Sequence, residues 1–237
     1  MKSKPVTWEE ITDTLIKEIR QNQYGKDEKM PSENDMAARF GVSRAEIRRA
    51  YGRLKELGYI YSMQGYGSFF SGKKEKLPLQ MNDSLSFTEK MKNLDVLYES
   101  KNIEARIIKY NSLIYDMLEA PPDTVVYKIL RLRMINGEPA AIHTSYLPQN
   151  YFPKLHQDAS KIISVYEYIR SCGYENLVSD KIQLSLSPPG RKERDLLKIP
   201  GYESCLVLSE ICISRPSGTI LEVARTVYRS DRFIFQL

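Results

Sequence analysis

The segment Pro31-Ser32-Glu33 … Phe40-Gly41-Val42-Ser43-Arg44 … Leu57-Gly58 … Gly65-Tyr66-Gly67 constrains this chain more than any other feature. Ser32 is a good N-cap, and Asp35 stands at N3, so the pair reads as a capping box. Pro31 before it cannot continue an earlier helix. Met36, Ala37 and Phe40 follow at helical spacing. Gly41 suits the left-handed position that ends a helix. Ser43-Arg44-Ala45-Glu46 is a second capping box and opens a helix running to about Leu57, closed by Gly58. Ile47, Ala50, Tyr51, Leu54 and Leu57 share one face of it. Arg44, Arg48 and Arg49 lie on or near the opposite face.

Upstream, Trp8, Ile11, Leu15, Ile16 and Ile19 recur at helical spacing and predict a further helix. Downstream, Tyr59-Ile60-Tyr61 and Ser68-Phe69-Phe70 are short β-prone runs around Gly65-Tyr66-Gly67, whose glycines permit the positive φ of a hairpin tip. Helix, short turn, helix and hairpin in this order form a winged helix-turn-helix, which places one helix in the major groove of DNA and a β-wing beside the backbone. The plainer alternative is a three-helix bundle whose arginines are a solvated face. Order and spacing together favour the DNA reading. Its candidate residues are Ser32, Glu33, Ser43, Arg44, Glu46, Arg48, Arg49, Gly65, Tyr66 and Gly67.

A length of 237 residues points to two domains, and 42% hydrophobic residues is ordinary for a globular protein. No run of eighteen apolar residues exists, and Met1-Lys2-Ser3-Lys4-Pro5 lacks an apolar signal region, so neither a membrane partner nor export is expected. Cys172, Cys205 and Cys212 are odd in number and lack ligand spacing, which predicts reduced thiols in a cytoplasmic protein and no metal site. Residues 1–76 hold 15 Lys/Arg and 11 Asp/Glu, a net of +4; residues 77–237 hold 20 and 19, a net of +1. The excess sits on the segment that would neutralise phosphates, and its modest size predicts binding as a dimer. Ser71-Gly72-Lys73-Lys74-Glu75-Lys76-Leu77-Pro78 has linker composition. The expected division is 1–72 for DNA binding, 73–84 as linker and 85–237 as a second domain.

That second domain reads as α+β with a mostly antiparallel sheet. Strands are expected at Ile103–Tyr110, Thr124–Ile135, Ala140–Tyr146, Lys181–Ser187, Leu206–Ser214 and Thr219–Tyr228, with a hairpin turn at Asn136-Gly137. Short helices are expected at Ser112–Glu119, Ile162–Ser171 and Arg191–Leu197. On the strand through Arg131-Leu132-Arg133, period-two alternation sends both arginines to one face and Leu130, Leu132 and Met134 to the other. Two guanidinium groups about 7 Å apart along a strand repel unless an anion lies between them, and their planar forks suit phosphate. The alternative is that they face solvent or pair with Glu138 or Glu222.

These residues resemble a known family. Pro-Ser-Glu, Phe-Gly-Val-Ser-Arg, the arginine four residues on and the Gly-x-Gly wing are similar to GntR-family transcriptional regulators. Ser86-Phe87-Thr88-Glu89-Lys90-Met91, Arg131-Leu132-Arg133, Ser145-Tyr146-Leu147-Pro148, Ser164-Val165-Tyr166-Glu167 and Glu222 followed by Val227 to Phe233 resemble the UTRA effector domain of the HutC-type branch, with its chorismate-lyase-like fold. The resemblance implies a homodimeric repressor on a double-stranded DNA operator, released by a sugar phosphate and needing no cofactor. It implies that Ser86, Thr88, Arg131, Arg133 and Ser164 hold the phosphate, with Phe87 in the same loop and Tyr166 beside them. It implies that Glu222 and Tyr228 contact the sugar. Other members of the branch sense carboxylates such as urocanate or a fatty acid, and paired arginines suit those too. With only two histidines, His143 and His156, and no nucleophile–base pair, an enzyme is not expected.

Three positions depart from the family. His143 stands where sugar-phosphate sensors often carry a carboxylate, which turns the expectation toward a neutral sugar phosphate, up to a disaccharide. Glu46 stands in place of threonine and is read as a capping-box residue. Asn34 and Tyr66 replace arginines, which weakens phosphate contacts.

Overall fold

The computed structural model describes residues 6–21, 23–25, 27–71, 76–80, 85–199, 203–215 and 217–236. Two compact units divide between Glu75 and Lys76.

In the first unit, helices α1 (Trp8–Arg20), α2 (Glu33–Phe40) and α3 (Arg44–Glu56) precede strands β1 (Ile60–Met63) and β2 (Gly67–Phe70). The Ser32–Asp35 capping box forms as expected: the Asp35 amide donates to Ser32 Oγ at 3.2 Å and Ser32 N–H donates to the Asp35 carboxylate at 3.2 Å. Gly41 closes α2 in the left-handed region at φ 65°. Ile11, Leu15, Met36, Ile47, Leu54 and Phe70 pack into one core beneath the three helices and the hairpin. The Tyr51 hydroxyl, at the edge of that core, donates to the Pro31 carbonyl at 2.8 Å, so α3 fixes the turn that starts α2. The hairpin tip needs its glycines: Gly65 and Gly67 have φ of 80° and 108°.

The second box is only half formed. The Ser43 hydroxyl accepts from the Glu46 amide, but the Glu46 carboxylate does not return to Ser43. It accepts from the Trp8 amide at 3.1 Å instead and so ties α3 to the first turn of α1. The Trp8 amide is one of the orphan donors at a helix start, and a carboxylate is the strongest acceptor within reach.

The second unit contains a six-stranded antiparallel sheet in the order β4-β5-β6-β9-β8-β7. Its strands are β4 (Tyr98–Ile107), β5 (Val126–Ile135), β6 (Glu138–Pro148), β7 (Leu177–Ser187), β8 (Cys205–Ser214) and β9 (Thr219–Tyr228). Helices α5 (Ser112–Leu118), α6 (Leu155–Asp158), α7 (Val165–Ser171) and α8 (Arg191–Leu197) connect them. Asn136 and Gly137, both at positive φ, make the β5–β6 turn as expected. Strands β5 and β6 are buried on both faces, which blurs their alternation.

Several elements differ from expectation: β4 spans Tyr98–Ile107 rather than Ile103–Tyr110, β7 starts at Leu177 rather than Lys181, and α7 starts at Val165, after the Ser164 cap, rather than at Ile162. Leu77–Gln80, assigned by composition to a linker, form β3, paired in parallel with β10 (Phe233–Gln236). Residues 72–75 and 81–84 of that linker lie outside the described residues. Ser86-Phe87-Thr88 is not a loop: Ser86 is the N-cap of α4 (Phe87–Asn93), in a capping box with Glu89. Ser-x-x-Glu is the capping-box pattern of a helix start, and the local signal prevails.

Candidate functional site

In the first unit, Ser43 at the N-cap sets the start of α3, and with it the direction in which the arginines leave the helix. Arg48 makes a bidentate pair with Glu33: Nε donates to Oε1 at 3.2 Å and the terminal nitrogen to Oε2 at 2.9 Å. Arg44 lies 3.6 Å from the same carboxylate. The Arg48 hydrogen bond holds the Glu33 carboxyl below its ordinary range; partial burial opposes this and Arg44 reinforces it. Arg49 is turned away from this pair, 3.4 Å from Glu46 and stacked over the Trp8 ring at 5.0 Å. The start of α2 and the first two turns of α3 therefore present two exposed arginines aligned by one acidic residue. Tyr66 projects from the wing tip, 68% exposed, between Gly65 and Gly67.

In the second unit, a cavity opens over one face of the sheet. Eight of the ten residues expected there line it: Ser86 and Phe87 from the start of α4, Arg131 and Arg133 from β5, His143 from β6, Ser164 and Tyr166 from the start of α7, and Tyr228 from β9. Thr88 does not line it: it follows Phe87 by one residue on α4, about 100° round the helix from the face that Phe87 and Lys90 present. Glu222 lies behind the wall, fully buried, 4.0 Å from Arg131 and 3.7 Å from His143 Nε2. Lys90, Ser179 and Glu210 also line the cavity and were not anticipated. Lys90 follows Phe87 by three residues on α4, a spacing that shares a helix face and could have flagged it. Glu210 arrives only through the pairing of β8 with β9, and Ser179 through that of β7 with β8.

The arginines are buried to 1% and 3% exposure. Arg131 donates to Ser145 Oγ at 2.7 Å and to the Ile163 carbonyl at 3.4 Å. One terminal nitrogen of Arg133 donates to Ser100 Oγ at 3.0 Å, to the Ile163 carbonyl at 3.2 Å and to the Tyr98 hydroxyl. Its guanidinium stands 5.4 Å over the Phe87 ring. The Nε–H groups of both arginines have no acceptor among the described residues. The expected pairing with Glu222 is a contact at 4.0 Å for Arg131, and Glu138 pairs with Arg232. Burial, and then the like charge of Arg133, push the Arg131 guanidinium down to about 9, against Glu222 and Tyr98. An anion between the two arginines would relieve that strain and supply the missing acceptors. The free space is about 40 Å³, room for roughly three waters and too little for a whole hexose.

Burial and the nearby Arg131 charge push His143 down to about 4, with Glu222 opposing. Burial works to raise Glu222, but His143, Arg131 and the Ser145 hydroxyl outweigh it and hold that carboxyl below its ordinary range. A neutral folded imidazole and an unfolded one titrating near 6.5 fix the sign of a pH effect. Below 6.5 the unfolded chain takes up a proton that the fold refuses. Stability is therefore complete above that pH and falls as pH drops toward 4. Between pH 7 and 5 the loss comes to about 2 kcal/mol. Thermal melts of the wild type and His143→Gln at both values should show this extra loss in the wild type alone. Equal losses would mean that His143 is protonated within the fold.

Among the described residues, no helix is long and apolar enough to cross a membrane. Residues 7–70 match the family described as bacterial regulatory proteins, gntR family, and residues 95–234 match the UTRA domain. The chain is 28% identical over 226 residues to the HTH-type transcriptional repressor NagR of Bacillus subtilis (strain 168), covering 95% of this chain and 91% of that protein. It is 25% identical over 242 residues to the mannosyl-D-glycerate transport/metabolism system repressor MngR of Escherichia coli (strain K12), covering 100% and 97%. In fold it is similar to the crystal structure of PhnF from Mycobacterium smegmatis, with a TM-score of 0.58 at 21% identity over 95% and 96% of the two chains. A capped helix-turn-helix with a glycine-tipped wing, followed by a cavity-bearing antiparallel sheet, is the order in which these two domains match: the chain belongs to the GntR family of bacterial regulatory proteins and carries a UTRA domain.

Proposed function

We propose that this chain is a transcriptional repressor released from its operator by a sugar phosphate. The observation that carries the effector class is the pair of buried arginines with unmatched Nε–H groups, facing one small cavity with the Ser86 and Ser164 hydroxyls. Phosphate oxygens accept several such donors at once. The repressor role is supported by NagR and MngR, both of which are named as repressors. The chain acts in the cytoplasm, by binding rather than by catalysis.

On DNA, a homodimer places two wings and two recognition helices on a pseudo-palindrome. Arg44 and Arg48 leave Glu33 for guanine edges. Glu33, Ser32 and Ser43 set the geometry, and Gly65, Tyr66 and Gly67 bring the wing to the backbone. Glu46 and Arg49 hold α3 against α1.

In the second unit, a bound phosphosugar needs more room than about 40 Å³, and in this reading it gains that room by displacing the α4 wall. Lys90 of that wall donates to the Gln80 carbonyl of β3 at 2.5 Å. β3 is the first element after the division between the units, so a shift of α4 is passed to the chain that leads to the DNA-binding unit. The effector lowers operator affinity by its preference for the displaced state.

Fluorescence anisotropy of the chain on its own upstream DNA, titrated with sugar phosphates and the matched free sugars, tests this reading. Two chains per operator and release by a phosphosugar but not by its free sugar are expected. Release by a carboxylate instead would favour the second reading, in which the arginines bind a carboxylate. MngR, whose name refers to mannosyl-D-glycerate, a sugar acid, is the observation on its side.

A further inference from the structure

The cavity has a second polar end, on the strands farthest from the arginines. Glu210 of β8 and Ser179 of β7 line it there, with Tyr166 from α7 beside them. Strands β6 and β9 lie between β5, which carries the arginines, and β8, which carries Glu210. That is three strand spacings, or about 14 Å between strand axes. In register, Glu210 stands opposite Ala224, and Ala224 stands opposite Ser145, the partner of Arg131. The methyl group of Ala224 offers no hydrogen bond to either neighbour. The Tyr166 and Ser179 hydroxyls are 3.1 Å apart and share one hydrogen bond, which leaves the second hydrogen of the pair for another acceptor.

Burial raises the Glu210 carboxyl above its ordinary range; the Ser179 hydroxyl opposes this, Glu222 adds to it and Lys90 opposes it. An ionised carboxylate has about four acceptor sites, and the Ser179 hydroxyl acts on Glu210 at one of them. A ligand that brought methylene groups to this wall would cover the remaining sites, exclude water from them and leave them unpaired. A ligand that brought hydroxyl groups would fill them. The charges also orient the ligand: its anionic group is repelled from the Glu210 end and drawn to the arginines.

We infer that Glu210, together with Ser179 and Tyr166, reads hydroxyl groups at the end of the effector remote from its anionic group. The effector is then a phosphorylated sugar or polyol that spans from β5 to β8, and not an anion with an aliphatic or aromatic tail. This rests on the phosphate reading given above.

Calorimetry on the full chain separates the two. Wild type, Glu210→Gln, Glu210→Leu and Ser179→Ala are titrated with inorganic phosphate and with a panel of hexose 6-phosphates. At least one hexose phosphate should bind the wild type more than tenfold tighter than inorganic phosphate. Glu210→Leu should erase that gain while inorganic phosphate binds unchanged. Glu210→Gln, which keeps one acceptor, should retain part of it. Ser179→Ala removes a single hydroxyl, should lose a few-fold, and stands in if the leucine variant fails to fold. Undiminished hexose-phosphate binding in the Glu210→Leu or Ser179→Ala chain, with phosphate still binding, overturns the inference and leaves the phosphate site intact. Failure of any phosphate to bind the wild type overturns the phosphate reading itself.

Discussion

Arg131→Gln should leave operator binding at its wild-type strength and abolish release by the effector. Arg131 lies in the second unit, wholly buried, with one hydrogen bond to Ser145 and one to the Ile163 carbonyl. Both of these partners belong to the second unit, so the substitution removes no side-chain hydrogen bond that shapes the DNA-binding unit. An anion in the cavity would take at least two charge-assisted hydrogen bonds from it, each contributing about 1.5–3 kcal/mol. Effector affinity should therefore fall by about 3 kcal/mol or more, over a hundredfold. Glutamine keeps a donor for Ser145 but not the charge. Because Glu222 loses its nearest cation, the second unit should also melt lower, and a melting curve must show that it still folds. Arg133→Gln, which removes the neighbouring cation, is the parallel variant and should act in the same direction. If Arg131→Gln releases operator at the wild-type effector concentration, the arginine pair is not the anion site.

The second large effect is expected at the DNA. Arg48→Ala should cost about 1–3 kcal/mol in each half-site if its fork reads a guanine, hence about 2–6 kcal/mol for a dimer on two half-sites. The Arg48 side chain is 68% exposed, so the variant should fold and melt as the wild type does. Two readouts separate base reading from simple charge. If Arg48 reads a base, preference at one symmetric base pair relaxes and the salt dependence of binding barely changes. If it only neutralises phosphate, affinity falls equally on all sequences and the salt slope drops by about one per contact. Glu33 gives the arginine its aim in the free protein, through two hydrogen bonds of 3.2 and 2.9 Å. Releasing that pair on DNA offsets part of the gain at the base.

Local chemistry made the DNA-binding unit legible. The Ser32 cap, Gly41 at positive φ and the glycine-tipped hairpin are each decided by contacts within three or four residues, so their patterns read directly from the chain. The same holds for the β5–β6 turn at Asn136-Gly137 and for the shared face of Arg131 and Arg133, since a strand has a period of two. The resemblance to a family named further site residues, and the cavity gathers six of those eight beside the two arginines. Ser86-Phe87-Thr88 starts a helix rather than forming a loop, as its own capping box with Glu89 dictates.

What the chain alone could not show depends on partners far apart in sequence. Glu46 satisfies the first amide of α1, thirty-eight residues away, rather than the cap of its own helix. β3 exists only because the last strand of the unit, β10, lies alongside it. Glu222 reaches Arg131 and His143 because β9 pairs with β6 and not only with its hairpin partner β8. Glu210 and Ser179 complete the cavity for the same reason. Periodicity tells which face of a strand a side chain occupies, while strand order decides which other side chains share that face. Strand order is set by the burial of all six strands together, a property of the packed sheet that no single segment encodes.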